Sequence, residues 1–368
     1  MKLTIARRPL WTAIGRVVGI IPNNTPKPIL KNLLLTAGDN ELTVEATDLE
    51  VGVRVLLTGA RVSESGRVLI SATKLNEILT KASDTEVDIE TDDDKVVISG
   101  ERFKFKLPSD DPDGFPSIPA FEADDYLVLD GPKFKEAIKR TIYSTDVEST
   151  RYALGGVCLD LNSDPCFVGT DGRRLARQFA VTSVEGSEVS TRTALVIPCK
   201  ALKLIDKNLS DVPVHFSTDG KSALLRMGDS TIYTRLVEGR FPRYIDVFPA
   251  GESVAVVTLP VADLLRGVEQ ASILTTDDSR GVDFELSTNK LTLSTNVTDS
   301  GAANIVVVCD YDGPTVPITF DPRYLADALK SLPGDGSVTL RLIDHKSAAI
   351  LQTGDGFDYV VMPLTRDR

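Results

Sequence analysis

One pattern occurs three times along this chain. Ile70-Ser-Ala-Thr-Lys-Leu-Asn-Glu-Ile-Leu79, Ile197-Pro-Cys-Lys-Ala-Leu-Lys-Leu-Ile-Asp206 and Phe320-Asp-Pro-Arg-Tyr-Leu-Ala-Asp-Ala-Leu329 share a plan. Each passes from an apolar strand end, through a Ser, Pro or Asp start, into a short amphipathic helix. Their first residues lie 127 and then 123 positions apart. A second helix recurs upstream, anchored by Leu10, Phe134 and Leu264, at intervals of 124 and 130. A period this long means three copies of one domain, because solenoid units are far shorter. Boundaries fall at 1–123, 124–250 and 251–368, each of common domain size. Every copy reads as strand, helix, strands, helix, strands, which predicts an α+β fold of antiparallel sheets with two helices per repeat.

Turn chemistry supports the meanders. Asp92-Asp-Asp-Lys95 separates two strand patterns, and Asp219-Gly220 predicts a two-residue hairpin turn. Thr47-Asp48 and Thr170-Asp171 recur at matching places in repeats one and two, as expected of a structural turn. Residues 108–125 hold four prolines and several acids, and Pro249 and Gly251 mark a second, shorter linker.

Several function classes are disfavoured. No stretch approaches the roughly 20 apolar residues of a membrane span, and residues 1–10 lack the apolar run of a secretory signal. Cys158, Cys166, Cys199 and Cys309 show no paired spacing, which predicts buried thiols in a reducing cytoplasm. His215 and His345 lack metal-ligand spacing. The string Gly220-Lys-Ser222 fails as a phosphate loop, since His215 stands where the leading Gly belongs. Asp110-Asp-Pro-Asp-Gly114 is interrupted by Pro112 and has no closing Glu, so it is no calcium loop. The expectation is no catalytic centre, no metal and no cofactor.

A net charge of −12 argues against a nucleic-acid partner until the charges are sorted. On or beside the six helices lie 15 basic residues against 7 acidic ones. The first four helices carry the excess, and the last two are near neutral. Basic helices on an acidic body make a phosphate-tracking surface.

Further strings stand in a telling order: Lys27-Pro-Ile-Leu-Lys-Asn-Leu-Leu-Leu35, Ala46-Thr-Asp-Leu-Glu50, Arg151-Tyr-Ala-Leu-Gly-Gly156 and Gly169-Thr-Asp-Gly-Arg-Arg-Leu-Ala176. Leu236-Val-Glu-Gly-Arg-Phe-Pro-Arg-Tyr244, Ser279-Arg-Gly-Val282 and Tyr359-Val-Val-Met-Pro-Leu364 follow. Across essentially its whole length the chain resembles the bacterial sliding clamps, the β subunits of DNA polymerase III. The resemblance implies a non-catalytic processivity factor, a head-to-tail homodimer closing a six-domain ring with twelve helices around the hole. It implies double-stranded DNA bound without sequence preference inside. Outside, it implies the polymerase III catalytic subunit with its exonuclease partner, a clamp loader, and other replication and repair proteins.

The resemblance also assigns residues. A hydrophobic pocket for client peptides comprises Leu154, Thr170, Gly172, Arg174, Leu175, Pro242, Val247, Val360 and Met362. The DNA-facing set is Arg7, Arg8, Arg16, Lys81, Lys133, Lys139, Arg140, Lys200, Lys203 and Lys207. The subunit interface sets Lys74, Ile78, Phe105 and Leu107 against Ile273 and Leu274, with Asp277-Asp278 near Lys74 or Lys104. Three features depart from the family pattern: extra acidic length at 110–114 beside the interface, no basic residue at the Asn23-Asn24 loop, and a tail at 365–368 beside the pocket. Two alternatives from other classes are a protein-binding scaffold that never encircles DNA, and a hydrolase of acidic substrates using His215 or His345.

Overall fold

A computed structural model describes all residues except 124, 150–152, 163–164, 180–193, 298–300 and 365–368. The six expected helices are present: α1 (Arg7–Val17), α2 (Ala72–Lys81), α3 (Gly131–Thr141), α4 (Cys199–Asn208), α5 (Val261–Ser272) and α6 (Pro322–Ser331). Their apolar stripes follow helical spacing, as in Leu10, Ala13, Ile14 and Val17 of α1, all buried. α6 opens as its sequence indicates. Pro322 sits at the first helical position, and the Asp321 carboxylate accepts the Arg323 amide at 3.0 Å.

The chain folds into two compact units. The first comprises Met1–Pro132 and Lys200–Leu236. The second comprises residues 133–179, 194–199 and 237–364 of those described. The middle repeat is therefore shared between them, through continuous sheets.

In the first unit, a five-stranded antiparallel sheet runs Arg61–Glu64, Lys2–Ala6, Glu86–Asp92, Lys95–Ser99, Lys104–Pro108. The strand Arg61–Glu64 escapes sequence reading because it is short, largely exposed and polar, held partly by a bidentate Arg61–Glu86 pair. An eight-stranded sheet runs Leu127–Leu129, Val214–Thr218, Ser222–Met227, Ser230–Arg235, Val51–Thr58, Glu41–Thr47, Asn32–Gly38, Gly66–Ser71. Its two halves come from different repeats, joined where Thr231 pairs with Arg54.

A single cross-strand row crosses that sheet: Val128, His215, Arg226, Thr231, Arg54, Glu45, Leu34, Leu69. Residues 108–123, with 125 and 126, follow this row as a strap. Phe115 packs on Leu34 and Leu69. The Arg54 guanidinium donates to the Ile118 carbonyl at 3.2 Å while also pairing with Glu45. Phe121 lies 4.7 Å from the Arg226 guanidinium, and Tyr126 lies 5.0 Å from the His215 ring. Gly52 is required here, since a Cβ would sit 2.9 Å from Ile118. The proline-rich segment is thus no loose spacer. Its acidic stretch is also folded down: Asp111 caps the turn Pro112–Gly114, Asp110 accepts from Asn32, and Asp113 pairs with Arg67.

The second unit repeats the architecture. Its eight-stranded sheet runs Ala194–Pro198, Gly156–Asp160, Cys166–Thr170, Arg174–Phe179, Phe357–Val361, Ala349–Gln352, Ser337–Leu342, Ala255–Pro260. The corresponding row is Val196, Cys158, Val168, Arg177, Asp358, Gln352, Thr339, Thr258. Arg177 stands where Arg54 stands in the first sheet. It pairs with Asp358 and is flanked by Phe179 and Phe248, at 4.6 and 4.2 Å. A four-stranded sheet runs Gly301–Val308, Lys290–Val297, Val282–Ser287, Val316–Phe320.

Three turns are built alike. After Thr47, Thr170 and Thr218, the threonine hydroxyl donates to the carbonyl four residues on and accepts the amide two residues on. The following Asp accepts the next two amides. The residue after that Asp has φ +83° in all three, at Leu49, Gly172 and Gly220. Asp219-Gly220 therefore lies in a longer loop than the two-residue turn expected, because the Asp side chain replaces backbone pairing. The four cysteines are buried thiols.

Candidate peptide-binding site

The pleat of the second eight-stranded sheet sorts its side chains onto two faces. Ala176, Phe357, Tyr359 and Val361 join one cluster with Leu264 and Val268 of α5 and Leu325 and Leu329 of α6. Their neighbours Leu175 and Val360 join a different cluster with Cys158, Cys166, Val168 and Val196. Phe241, Tyr244 and Phe248 pack over this second face. Helices thus cover one face, and a connector from 237 to 248 covers part of the other.

The floor of the expected peptide pocket lies on the connector's face. Leu175 and Val360 are direct cross-strand partners. Thr170 pairs with Leu175 on the other side. Gly172 sits exposed in the Thr-Asp turn above. Met362 donates its amide to the Arg173 carbonyl at 2.9 Å and leaves its side chain 45% exposed. Val247 ends the turn Tyr244–Val247 and is also half-exposed. Leu154 is buried, next to Ala153, whose amide donates to the Arg240 carbonyl of the connector. Pro242 lines a neighbouring cleft with Cys158, Asp160 and Tyr244.

Arg174 is a brace. Its side chain is 10% exposed. Nε donates to Asp171 at 3.0 Å, Nη1 to Asp327 at 2.7 Å and Nη2 to the Tyr143 carbonyl at 2.7 Å, while the guanidinium lies 4.6 Å from the Tyr324 ring. Asp171 is a local partner, but Asp327, Tyr143 and Tyr324 come from distant sequence and carry no local signal, and the same is true of Phe248 against Arg177.

The basic residues assigned to DNA divide into two groups. Arg8, Lys81, Lys133, Lys139, Lys200, Lys203 and Lys207 are exposed, although Lys200 also contacts Asp48. The other three are engaged within the fold. Arg140 corrects the sequence reading outright: it is 1% exposed and surrounded by Glu136, Gln178 and Asp355 at 2.6, 2.8 and 2.8 Å. The cause is close packing of α3 on the strand Cys166–Thr170, where a Cβ on Gly169 would fall 2.2 Å from the Thr141 carbonyl. The Arg140 guanidinium holds the Asp355 carboxyl below the usual range. Arg7 donates to the carbonyls of Asp84 and Leu79, closing the C-terminal end of α2. Arg16 forms a bidentate pair with Asp229 at 2.9 and 2.7 Å.

The interface set also divides. Phe105 and Leu107 lie on the edge strand Lys104–Pro108, Phe105 being 43% exposed. Lys74 is exposed, but Ile78 is buried in the core of its unit, on the apolar stripe of α2. Ile273 is 76% exposed, Leu274 is partly buried, and Asp277 pairs with Arg280 and Arg323 of its own chain. The expected set does not include a further edge strand, Gly301–Val308, on which Val306 and Val308 are exposed. The tail at 365–368, and Arg151 and Tyr152, lie outside the described residues. Among the described residues no His, Cys, Asp and Glu side chains cluster as a metal site. His215 packs against the strap, and His345 is exposed in a turn.

Paired helices on one sheet face and an apolar cluster around Leu175 and Val360 on the other define a repeated α+β scaffold. Three family models of the DNA polymerase III beta subunit match it in order: the N-terminal domain over 1–119, the central domain over 128–243 and the C-terminal domain over 246–365. The beta sliding clamp of Chlamydia muridarum is 29% identical, covering 99% of both chains. That of Pseudomonas putida is 28% identical over 99% of this chain and 100% of its own. Among solved structures, the Pseudomonas aeruginosa DNA polymerase sliding clamp superposes with a TM-score of 0.91 at 26% identity, covering all of both chains. The same organism's clamp bound to griselimycin gives 0.92 at 26%, again over all of both chains. The chain belongs to the DNA polymerase III beta subunit family, the bacterial sliding clamps.

Proposed function

We propose that this chain is a DNA polymerase processivity factor that closes a ring on duplex DNA as a head-to-tail homodimer. The observation that carries the proposal is a pair of unmatched sheet edges. The last strand of repeat two, Ser230–Arg235, pairs with Val51–Thr58, and the last strand of repeat three, Phe357–Val361, pairs with Arg174–Phe179. One member of each kind is left over: Lys104–Pro108, last in repeat one, and Gly301–Val308, third of its kind. Each is a sheet edge bearing exposed apolar residues. Such edges invite strand addition, and a second copy supplies the missing partner to both. Two joints of this type close six domains with twelve helices.

The helix residues Arg8, Lys81, Lys133, Lys139, Lys200, Lys203 and Lys207 would meet DNA phosphates without reading bases. Charge alone holds DNA at roughly 10⁻⁴ to 10⁻⁶ M, so weak contacts permit sliding while closure prevents loss. Clients would dock on the Leu175–Val360 floor, on the opposite sheet face from the helices. These clients are the polymerase III catalytic subunit with its exonuclease partner, the clamp loader and other replication and repair proteins. Tethering raises the polymerase's effective concentration at the template. No helix among the described residues is long and apolar enough to cross a membrane, and work on the chromosome implies a cytoplasmic location.

The test is retention. Protein loaded on nicked circular DNA should stay bound through gel filtration in high salt and be lost once the circle is cut. Equal loss from circle and linear DNA would leave only a scaffold that never encircles DNA.

A further inference from the structure

A cleft of about 250 Å³ opens between the connector and the strands Gly156–Asp160 and Ala194–Pro198. Cys158, Phe241 and Tyr244 give it an apolar interior, and Ala194 stands at the sheet edge. Its polar lining is paired within itself: the Tyr244 hydroxyl donates to Asp160 Oδ2 at 2.8 Å, and Arg243 pairs with Asp246 at 3.3 Å. Ile245 lines the cleft and is 66% exposed, so it offers apolar surface to an incoming side chain. The cleft is smaller than the pockets that hold drug-sized ligands and suits one apolar side chain. Cys158 of this cleft belongs to the same buried cluster as Leu175 and Val360, and Phe241 and Tyr244 pack against that cluster, so the cleft lies on the sheet face of the proposed client site.

We propose that the cleft is an additional anchor subsite of the client site. It receives one apolar side chain from residues of the client peptide that flank those on the Leu175–Val360 floor. The inference rests on the peptide-site reading above. A Leu or Phe placed there replaces solvent against Phe241 and Ile245, while the Tyr244–Asp160 bond offers no open hydrogen-bonding position. The subsite therefore selects for an apolar flank, since its charged lining residues are already partnered, Asp160 by Tyr244 and Asp246 by Arg243.

The test uses a short synthetic Leu/Phe peptide whose binding is weakened by Met362→Ala, and the same peptide lengthened at each end in turn by Gly-Ser-Leu. One lengthened form should bind about tenfold tighter by calorimetric titration, the net of one buried side chain less its ordering. Ile245→Asp and Ala194→Trp should each remove that gain and leave the short peptide within twofold of its original affinity. Both positions are exposed, so both variants should keep the parent melting temperature. No gain from either extension, or a gain that survives both variants, overturns the subsite. If Met362→Ala leaves the short peptide's affinity unchanged, the peptide site itself fails, and the subsite falls with it.

Discussion

Leu175 and Val360 stand opposite each other on neighbouring antiparallel strands, one from the middle repeat and one from the last. Both are essentially fully buried, at 0% and 1% exposure. The floor of the proposed client site is therefore also a structural joint. Met362 is the safer probe, being half-exposed. Met362→Ala should weaken a client peptide by roughly five- to tenfold, about 1–1.4 kcal/mol, with no change in melting temperature. Leu175→Ala should cost about 2–5 kcal/mol of stability, so a binding loss in that variant alone would not report on the site. Peptide titration and thermal melting, done on both variants, separate the two effects.

Arg140 and Lys139 are adjacent and should behave oppositely. Arg140→Ala strands the buried Gln178 side-chain oxygen and leaves the half-exposed Asp355 without its cation, at a cost of about 1–3 kcal/mol. It should not alter how DNA retention varies with salt. Lys139→Ala should leave denaturant stability unchanged and lower the salt dependence of DNA binding by about one counterion. The reverse pattern would mean that α3 presents its other face.

Stability should depend on Asp355 in acid. Arg140 depresses its carboxyl in the folded chain, so the folded pKa lies below the unfolded value. The contribution is fully present above the ordinary carboxylate range, near pH 4. It is lost as pH falls through the lower folded value. Asp355→Asn should be less stable than the parent at pH 7, with the difference shrinking at pH 3. Urea melts at both pH values provide the check, and a constant difference would contradict the pairing.

The strap should matter as much as a core segment. Phe115 and Ile118 are 6% and 4% exposed. Truncating either to Ala should cost about 2–5 kcal/mol, far more than expected for an interdomain linker. Chemical denaturation would show it. A cost under 0.5 kcal/mol would return residues 108–126 to the status of a spacer.

Closure is testable at the edges. Phe105→Arg or Val306→Arg places a charge on an apolar edge, and either should convert a sedimenting dimer to monomer without unfolding. A dimer unaffected by both would place the subunit contact elsewhere.

Much was legible in the sequence. The three-fold recurrence determined the α+β plan and the two helices per repeat, because strand and helix periodicities are local and short turns such as Thr47-Asp48 are encoded within five residues. The order of the motifs also placed the chain in its family, which the three matching family models bear out. Tertiary structure alone decided which charges were surface charges. Arg140 reads as one more cation on a basic helix, and only the closeness of α3 to Gly169 buries it among Gln178 and Asp355. It likewise decided that a proline-rich acidic segment is a strap and that Arg54 and Arg177 hold equivalent places. Those facts depend on strands far apart in the chain pairing in register, and no local pattern records which distant carboxylate or aromatic ring will lie opposite a given arginine.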